Sequence, residues 1–208
     1  MALSAAEVNN LKTAPGVDGI IPAVLNRWSS RSFSSREVST VDLARVFEAA
    51  RWSASAYNEQ PWRFVVGLRG TEIHQKLVDS LISFNKGWAA AAPVLILAFA
   101  STHFTHNGTE NPYALYDLGA ATATLTIQAA EEGMTTHTMA GFDQKFAREA
   151  LGIPAEYVLG TIIALGYQGD PEALKEEQIY SLETSPRNRK PMKEMVFSAW
   201  DKAAGLSL

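Results

Sequence analysis

One uncharged segment constrains the fold of this chain more than any other feature. No residue between Asp117 and Glu131 carries a charge, and apolar residues lie on every side of the helix that residues 115–130 would form. A helix that is apolar all round must be buried all round. Packing against a second copy of the chain would bury it, which favours an extensive dimer interface. A core helix enclosed by its own chain would satisfy the same pattern.

Helical and strand patterns alternate along the rest of the sequence. Helices are predicted near residues 20–27, from a Ser39 or Thr40 cap to residue 50, over 72–81 behind a Thr71 cap, and over 144–151. Strands are predicted over 62–68, 93–100, 135–139 and 158–166, with 93–100 central because both its faces are apolar. This alternation predicts an α/β or α+β sandwich in a single domain of residues 1–208. The polar segment 171–208, where Pro186 and Pro191 bracket a basic cluster, is expected to be an extended C-terminal arm.

Composition and charge exclude several kinds of function. The chain has no cysteine, which removes thiolate nucleophiles and cysteine-bearing metal sites. The net charge is -4 and no basic stretch interleaves with aromatic residues, so nucleic acid is not an expected partner. The longest apolar run, residues 88–100, contains Pro93 and is shorter than the roughly 20 residues that span a bilayer. Residues 1–12 lack the layout of a signal peptide, so we expect a cytoplasmic protein without a membrane partner.

Two arginine-containing clusters have side chains that suit a phosphate. Residues 27–31, Arg-Trp-Ser-Ser-Arg, place two guanidinium groups beside two hydroxyls at the end of a predicted helix. Residues 187–190, Arg-Asn-Arg-Lys, lie in the polar arm. Guanidinium groups bind phosphate oxygens through paired, charge-assisted hydrogen bonds. Taken alone, each cluster would more commonly be a solvated surface patch.

Two further clusters suit a flat heterocycle. Residues 53–62, Ser-Ala-Ser-Ala-Tyr-Asn-Glu-Gln-Pro-Trp, combine small side chains with amides that can both donate to and accept from a pyrimidine-like ring edge. Residues 139–143, Met-Ala-Gly-Phe-Asp, place Gly141 at a strand end, where the backbone can approach a flat ligand closely. An ordinary helix-to-strand loop and an Asp-capped turn would explain the same residues.

The order and separation of the four clusters resemble the nitroreductase family of flavoproteins. The family's Arg-x-Ser-x-Arg-x-Phe element is similar to residues 27–33, and its Pro-Ser-x-x-Asn-x-Gln-Pro-Trp element to residues 54–62. Gly-Phe-Asp at 141–143, Leu-Gly-Ile-Pro at 151–154, Leu-Gly-Tyr at 165–167 and Arg-x-Pro at 189–191 complete the match. The resemblance spans residues 24–196 and implies an α+β sandwich, a central sheet flanked by helices, that forms an intertwined homodimer. It also implies that the C-terminal arm, residues 171–208, contacts the partner subunit.

The resemblance also implies FMN as a cofactor, held at the boundary between two subunits. It assigns Arg27, Ser29 and Arg189 to the FMN phosphate, with Arg187 as a further contact. Arg31 would lie against the pyrimidine edge of the ring, where its charge stabilises the anionic reduced flavin. The remaining implied contacts are Trp28 through its backbone, Ser55, Ala56 and Asn58 along the ring and ribityl chain, and the Ala140 and Gly141 amides beside ring atom N5. No catalytic side chain is implied.

The function that the resemblance implies is an FMN-dependent oxidoreductase with a ping-pong mechanism. NADH or NADPH would supply the hydride, and nitroaromatic, quinone or similar electron-poor compounds would accept it. The glycine motif of a separate dinucleotide site is absent, so donor and acceptor must share one pocket. The alternatives are a relative with different flavin chemistry, dehalogenation or oxygen-dependent flavin cleavage, and a non-catalytic flavin-binding protein. No metal is expected, because His103 and His106 lack an identifiable third ligand.

Three residues depart from the family pattern. Ala54 replaces a proline, Trp28 replaces a basic or imidazole residue, and Ala140 stands where many relatives have glutamate. Because the N5 contact is expected from the backbone, Ala140 is compatible with activity. Trp28 and Tyr57 are expected to narrow the pocket.

Overall fold

Helices and strands alternate along the chain in the computed structural model, which describes residues 3–15 and 18–206. The helices are α1 (Ala5–Lys12), α2 (Pro22–Asn26), α3 (Thr40–Arg51), α4 (Glu72–Ser80), α5 (Ser83–Ala89), α6 (Ala114–Glu131), α7 (Gln144–Leu151) and α8 (Glu177–Thr184). The strands are β1 (Trp62–Leu68), β2 (Val94–Ser101), β3 (Thr135–Met139), β4 (Tyr157–Gly166), β5 (Phe197–Ala199) and β6 (Lys202–Ala203). None of these helices combines the length and apolar character needed to cross a membrane.

Four antiparallel strands form the central sheet, in the order β1-β2-β4-β3. β2 is buried along nearly its whole length between β1 and β4, which confirms the central position predicted for it. Its register against β4 shifts after Ala98, so that Gly160 has no paired partner on β2. A Cβ at Gly160 would lie 2.6 Å from Cδ2 of Leu118. Glycine therefore allows α6 to approach the sheet closely at this bulge.

Helices cover both faces of the sheet and give three layers. One face carries α3 and α6 on an apolar cluster that includes Val46, Ile96 and Leu125. The other face carries α4, α5, α7 and α8 on a cluster that includes Leu77 and Ile162. Because the sheet is antiparallel with helices on both sides, the predicted α+β sandwich is confirmed.

Within a single chain, α6 is buried on one side only. Ala121, Leu125 and Ala129 are fully buried against the sheet and α3, whereas Leu115 and Ala123 on the opposite side are exposed. An open groove of about 630 Å³ runs along this uncharged, exposed side. Enclosure by its own chain therefore does not account for the apolar character of α6, and contact with a second copy remains the prediction.

Three helices differ from the sequence-based prediction. Residues 5–12 form α1, where no helix is predicted. Residues 83–89 form α5, so the apolar run 88–100 begins in a helix; the segment is short and contains Gly87, which weakens a helical pattern. Residues 177–184 form α8, which buries Ile179 and Glu183 against the body of the protein. The predicted C-terminal arm therefore begins only after α8, and its contact with a partner subunit remains a prediction.

Candidate cofactor site

A cationic pocket of about 360 Å³ lies between the segment that follows α2 and the segment that follows α8. This volume is within the range of roughly 300–1,000 Å³ that is common for ligand pockets. The lining residues are Lys12, Arg27, Trp28, Ser29, Arg31, His137, Leu182, Arg187 and Arg189. None of these described lining residues is acidic. All predicted site residues of the two arginine-containing clusters therefore lie at one pocket.

The guanidinium groups of the cationic pocket repel one another. Burial, followed by the charge of Arg189, lowers the pKa of Arg27. Burial, followed by the charges of Arg189 and Arg27, lowers the pKa of Arg187. Since arginine stays protonated in proteins, each lowered pKa reflects the free-energy cost of burying a guanidinium group, to which the neighbouring positive charges add. A bound dianion would offset that cost, so the pocket suits a phosphate group.

Hydrogen bonds from Arg187 join the two segments that form the cationic pocket. Its Nη1 donates to the carbonyl oxygen of Arg27 at 2.6 Å, and its Nη2 donates to the carbonyl oxygen of Leu25. Arg189 is exposed and donates to the carbonyl oxygen of Asn188 at 2.8 Å. Arg187 is thus committed largely to the protein, whereas Arg189 is available to a ligand.

Arg31 lies over an aromatic pair, Trp88 and His137, of which His137 lines the cationic pocket. Its guanidinium carbon is 5.9 Å from the centre of the Trp88 ring, and that ring lies 4.5 Å from the ring of His137. The Nε of Arg31 is buried and has no hydrogen-bond partner among residues 3–15 and 18–206. Leaving a buried donor unsatisfied costs about 1–3 kcal/mol. The position therefore suits a ligand that supplies an acceptor.

His137 is a pocket residue that sequence reasoning missed. Its Nδ1 lies 3.0 Å from the carbonyl oxygen of Ser30 and must carry the proton, because a carbonyl oxygen only accepts. Burial, followed by the charge of Arg31, lowers the pKa of His137 to about 4. The imidazole is therefore neutral at pH 7. A histidine in the middle of a strand carries no distinctive motif, so its contact with Arg31 was not visible in the sequence.

Trp28 lines the cationic pocket and also contacts α1. Its side chain is buried, and Nε1 donates to Oδ1 of Asn9 at 2.9 Å. The Nζ of Lys12 lies 4.9 Å from the ring centre. The indole therefore packs against α1, at the edge of the cationic pocket that Trp28 helps to line. Whether it narrows the space for an acceptor stays a prediction. Lys12 itself is a second pocket residue without a recognisable motif.

The Ala140 and Gly141 amides lie at the end of β3, the strand that carries His137. The carbonyl oxygen of Gly141 accepts hydrogen bonds from Nδ2 of Asn85 at 3.0 Å and from the amide of Ile82 at 3.3 Å. A Cβ on Gly141 would lie 2.6 Å from Cδ1 of Ile82. Among the residues that the structure describes, the Ala140 and Gly141 N–H groups donate no hydrogen bond. Both donors are therefore available to a ligand acceptor.

Residues 53–60, here called the amide loop, lie on α6 and not at the cationic pocket. Ser53 Oγ donates to Oγ1 of Thr124 at 2.9 Å, and the Ala56 amide donates to the buried carboxylate of Asp117 at 3.1 Å. The lining of the cationic pocket includes no residue of this loop. Within one chain the structure therefore does not bring Ser55, Ala56 and Asn58 together with Arg27.

The amide loop has an unusual backbone. Tyr57, Asn58 and Gln60 have φ values of 52°, 54° and 51°, in the left-handed region that favours glycine. Tyr57 and Asn58 are also exposed, so burial of their side chains does not explain this conformation. Strained backbone of this kind is concentrated at ligand-binding segments.

The fold and the site together define a three-layer α+β protein with an anion-binding pocket, and comparisons with known proteins identify its family. The model of the nitroreductase family matches residues 24–87 and 82–167. The chain therefore belongs to the nitroreductase family. A solved oxidoreductase containing FMN is 30% identical, with 91% of this chain and 95% of that chain covered and a TM-score of 0.84.

Two relatives carry names that refer to nicotinamide nucleotides. A protein of Archaeoglobus fulgidus, provisionally named an NADH dehydrogenase/NAD(P)H nitroreductase, is 28% identical over 159 residues, which cover 74% of this chain and 87% of the relative. The major NAD(P)H-flavin oxidoreductase of Aliivibrio fischeri is 35% identical over 92 residues, 42% of each chain.

Proposed function

We propose that this protein is an FMN-dependent oxidoreductase that passes a hydride from NADH or NADPH to nitroaromatic, quinone or similar electron-poor acceptors. The observation that carries the proposal is the cationic pocket, where mutually repelling guanidinium groups surround space for a phosphate. The FMN in the similar solved structure and the nucleotides in the names of the relatives support the choice of cofactor and donor.

The phosphate of FMN would be held by the cationic end of the pocket. Arg27 and Ser29 line the pocket from one segment, and Arg189 lines it from the other. These groups can form charge-assisted hydrogen bonds with a dianion. Arg187 supports them by holding the backbone of Arg27, at 2.6 Å from its carbonyl oxygen, and adds a further positive charge.

The ring of FMN would lie beside Arg31 and the end of β3. When bound, FMN supplies two-electron hydride chemistry. Arg31 lies over Trp88 and would stabilise negative charge at the ring edge. The Ala140 and Gly141 N–H groups, which have no acceptor among the described residues, would be free to donate to the ring. The rings of His137, which lines the pocket, and Trp88 pack together next to Arg31 and would limit access from that side.

The amide loop of a second copy would complete the site. The loop is attached to α6 through Asp117 and Thr124, and the exposed side of α6 is uncharged and uncovered. A second copy that packs on this side of α6 carries its own amide loop with it. We therefore assign Ser55, Ala56 and Asn58 to the cofactor of the partner subunit in a homodimer.

Flavin analysis tests the cofactor. The purified protein should be yellow, and heating should release FMN rather than FAD, identified by chromatography of the supernatant. A colourless protein that does not take up added FMN would contradict the proposal.

Kinetic analysis tests the hydride transfer. Stopped-flow mixing with NADH or NADPH should bleach the flavin absorbance rapidly, and a quinone or nitroaromatic should restore it. Because donor and acceptor share one pocket, double-reciprocal plots at several acceptor concentrations should be parallel. Intersecting lines would exclude the ping-pong mechanism. The absence of rapid bleaching would favour a relative with different flavin chemistry or a non-catalytic flavin-binding protein, and the latter would also show no turnover.

A further inference from the structure

A fully buried carboxylate, that of Glu183, lies next to the cationic pocket. Glu183 is on α8, four residues after Ile179, and its exposed fraction is 0%. Ionised side chains are rarely buried completely unless they are paired and hydrogen-bonded. The proposed function gives this residue no role.

Four donors surround the Glu183 carboxylate. Oε1 accepts hydrogen bonds from Oγ of Ser30 at 2.7 Å, from the amide of Ser32 at 3.0 Å and from Nε2 of Gln168 at 3.1 Å. Oε2 accepts a hydrogen bond from the amide of Arg31 at 2.9 Å. Glu183 therefore fixes three consecutive residues in the segment that lines the cationic pocket.

This arrangement determines where the side chain of Arg31 can lie. Ser29 forms an isolated bridge with Thr136, and Phe33 forms another with Gln168. Arg31 lies between these bridges, and its amide is bonded to Glu183. A change in the Glu183 carboxylate would thus release the backbone of residues 30–32, which carries Arg31, without altering the Arg31 side chain itself.

Two positively charged side chains, Lys12 and Arg31, lie close to the Glu183 carboxylate. Burial lowers the pKa of Lys12 and the pKa of Arg31, and the negative charge of Glu183 raises both pKa values in part. Lys12 also donates from Nζ to the carbonyl oxygens of Leu182, at 2.8 Å, and Ser185. The lysine thus holds the end of α8 in place on either side of Glu183.

We propose that Glu183 is a positioning residue of the cofactor site, which acts through Arg31 by holding the backbone of residues 30–32. The proposal rests on the proposed function, in which Arg31 stabilises reduced FMN. Two effects of removing the Glu183 charge oppose each other. Loss of the hydrogen bonds that hold residues 30–32 would weaken the binding of reduced FMN, whereas loss of a negative charge alone would strengthen that binding.

The Glu183→Gln variant separates these effects. Glutamine keeps the shape of the side chain, but its NH₂ group would face an N–H or O–H donor. The dissociation constants of oxidised and reduced FMN should be measured by titration, in air and anaerobically. We expect the preference for reduced FMN to fall about tenfold, in the same direction as in Arg31→Ala. In the Arg31→Ala background, the same substitution should change the preference by less than about twofold.

Controls keep the result interpretable. Glu177→Gln, at an exposed position on the same helix, should leave both dissociation constants unchanged. If Glu183→Gln does not fold, Gln168→Leu removes one donor to the carboxylate outside the cationic pocket and should lower the preference about twofold to threefold. The positioning role alone would be overturned if folded Glu183→Gln bound reduced FMN more tightly or kept an unchanged preference for it. It would also be overturned if Glu183→Gln had an undiminished effect in the Arg31→Ala background. A wild-type protein that binds no FMN would overturn the proposed function and this proposal with it.

Discussion

The cationic pocket and the amide loop carry the two halves of the same proposed site, yet the chain builds them differently. The pocket is assembled from segments far apart in sequence and held by buried groups, as in the hydrogen bond between Ser30 and Glu183. The amide loop is attached to α6, has left-handed residues and exposes Tyr57 and Asn58. Within one chain, the cationic pocket that we propose for the phosphate therefore forms on one surface, and the amide loop that we expect a second copy to use lies on another.

The largest expected effect separates the two sides of α6. Leu125→Asp places a charge among fully buried residues and should unfold the chain, at a cost above about 3 kcal/mol. Ala123→Asp places the same charge on the exposed side and should leave a folded monomer with weakened FMN binding. Circular dichroism and analytical ultracentrifugation check both results. A folded Ala123→Asp monomer with full FMN affinity would show that the amide loop of a partner is not needed.

The next largest effect is a loss of folding stability in acid, caused by His137 in the cationic pocket. The pKa of His137 is about 4 in the folded protein, against 6.5 for an ordinary histidine. Between these values the unfolded chain binds a proton that the folded chain does not, so the free energy of unfolding falls as pH falls. The loss between pH 7 and pH 4 should be about 3 kcal/mol.

His137→Gln is the matched variant for this acid effect, because its amide can still donate to the Ser30 carbonyl oxygen. Urea unfolding at a series of pH values should show a shallower acid dependence in His137→Gln than in the wild type. The same slope in both proteins would mean that other groups cause the acid sensitivity.

Loss of FMN affinity should be larger for substitutions in the cationic pocket than for a substitution in the amide loop. Arg27→Ala or Arg189→Ala removes a charge-assisted contact, which contributes about 1.5–3 kcal/mol, so the FMN dissociation constant should rise roughly tenfold to hundredfold. Asn58→Ala removes a neutral contact, which contributes about 0.5–1.5 kcal/mol, so the FMN dissociation constant should rise roughly twofold to tenfold. Fluorescence titration of the refolded apoprotein measures each constant. Unchanged FMN affinity in both arginine variants would show that the phosphate of FMN binds elsewhere.

The smallest expected effect tests the strain in the amide loop. Gln60→Gly should relieve the left-handed backbone at φ 51° and raise the free energy of unfolding by about 0.5–1 kcal/mol, after the greater chain entropy of glycine is subtracted. Gln60→Ala is the control, because it also removes the side-chain hydrogen bond to Asn58 but retains Cβ. Thermal unfolding compares the two. Equal stability of both variants would argue that the loop is not strained.

Local patterns predicted most of the elements, since the interactions behind them lie within a few residues. The Ser39 cap of α3, the Thr71 cap of α4 and the Asp143 cap of α7 were each recognisable from side chains that bond the first turn of the helix. The burial of β2 followed from its apolar residues on both faces. By contrast, α5 was missed, because seven residues that include a glycine give little helical periodicity.

The sequence by itself determined the alternation of elements, the apolar character of α6 and the family motifs that point to FMN. Only the tertiary structure decided that α8 packs on the body, that Glu183 binds the turn at Arg31, that His137 is neutral behind it, and that the amide loop lies apart from the cationic pocket. The physical reason is the separation along the chain. Caps and periodicity act between near neighbours, whereas Ser30 and Glu183 are 153 residues apart and meet only when the sheet and both helical layers have closed around them.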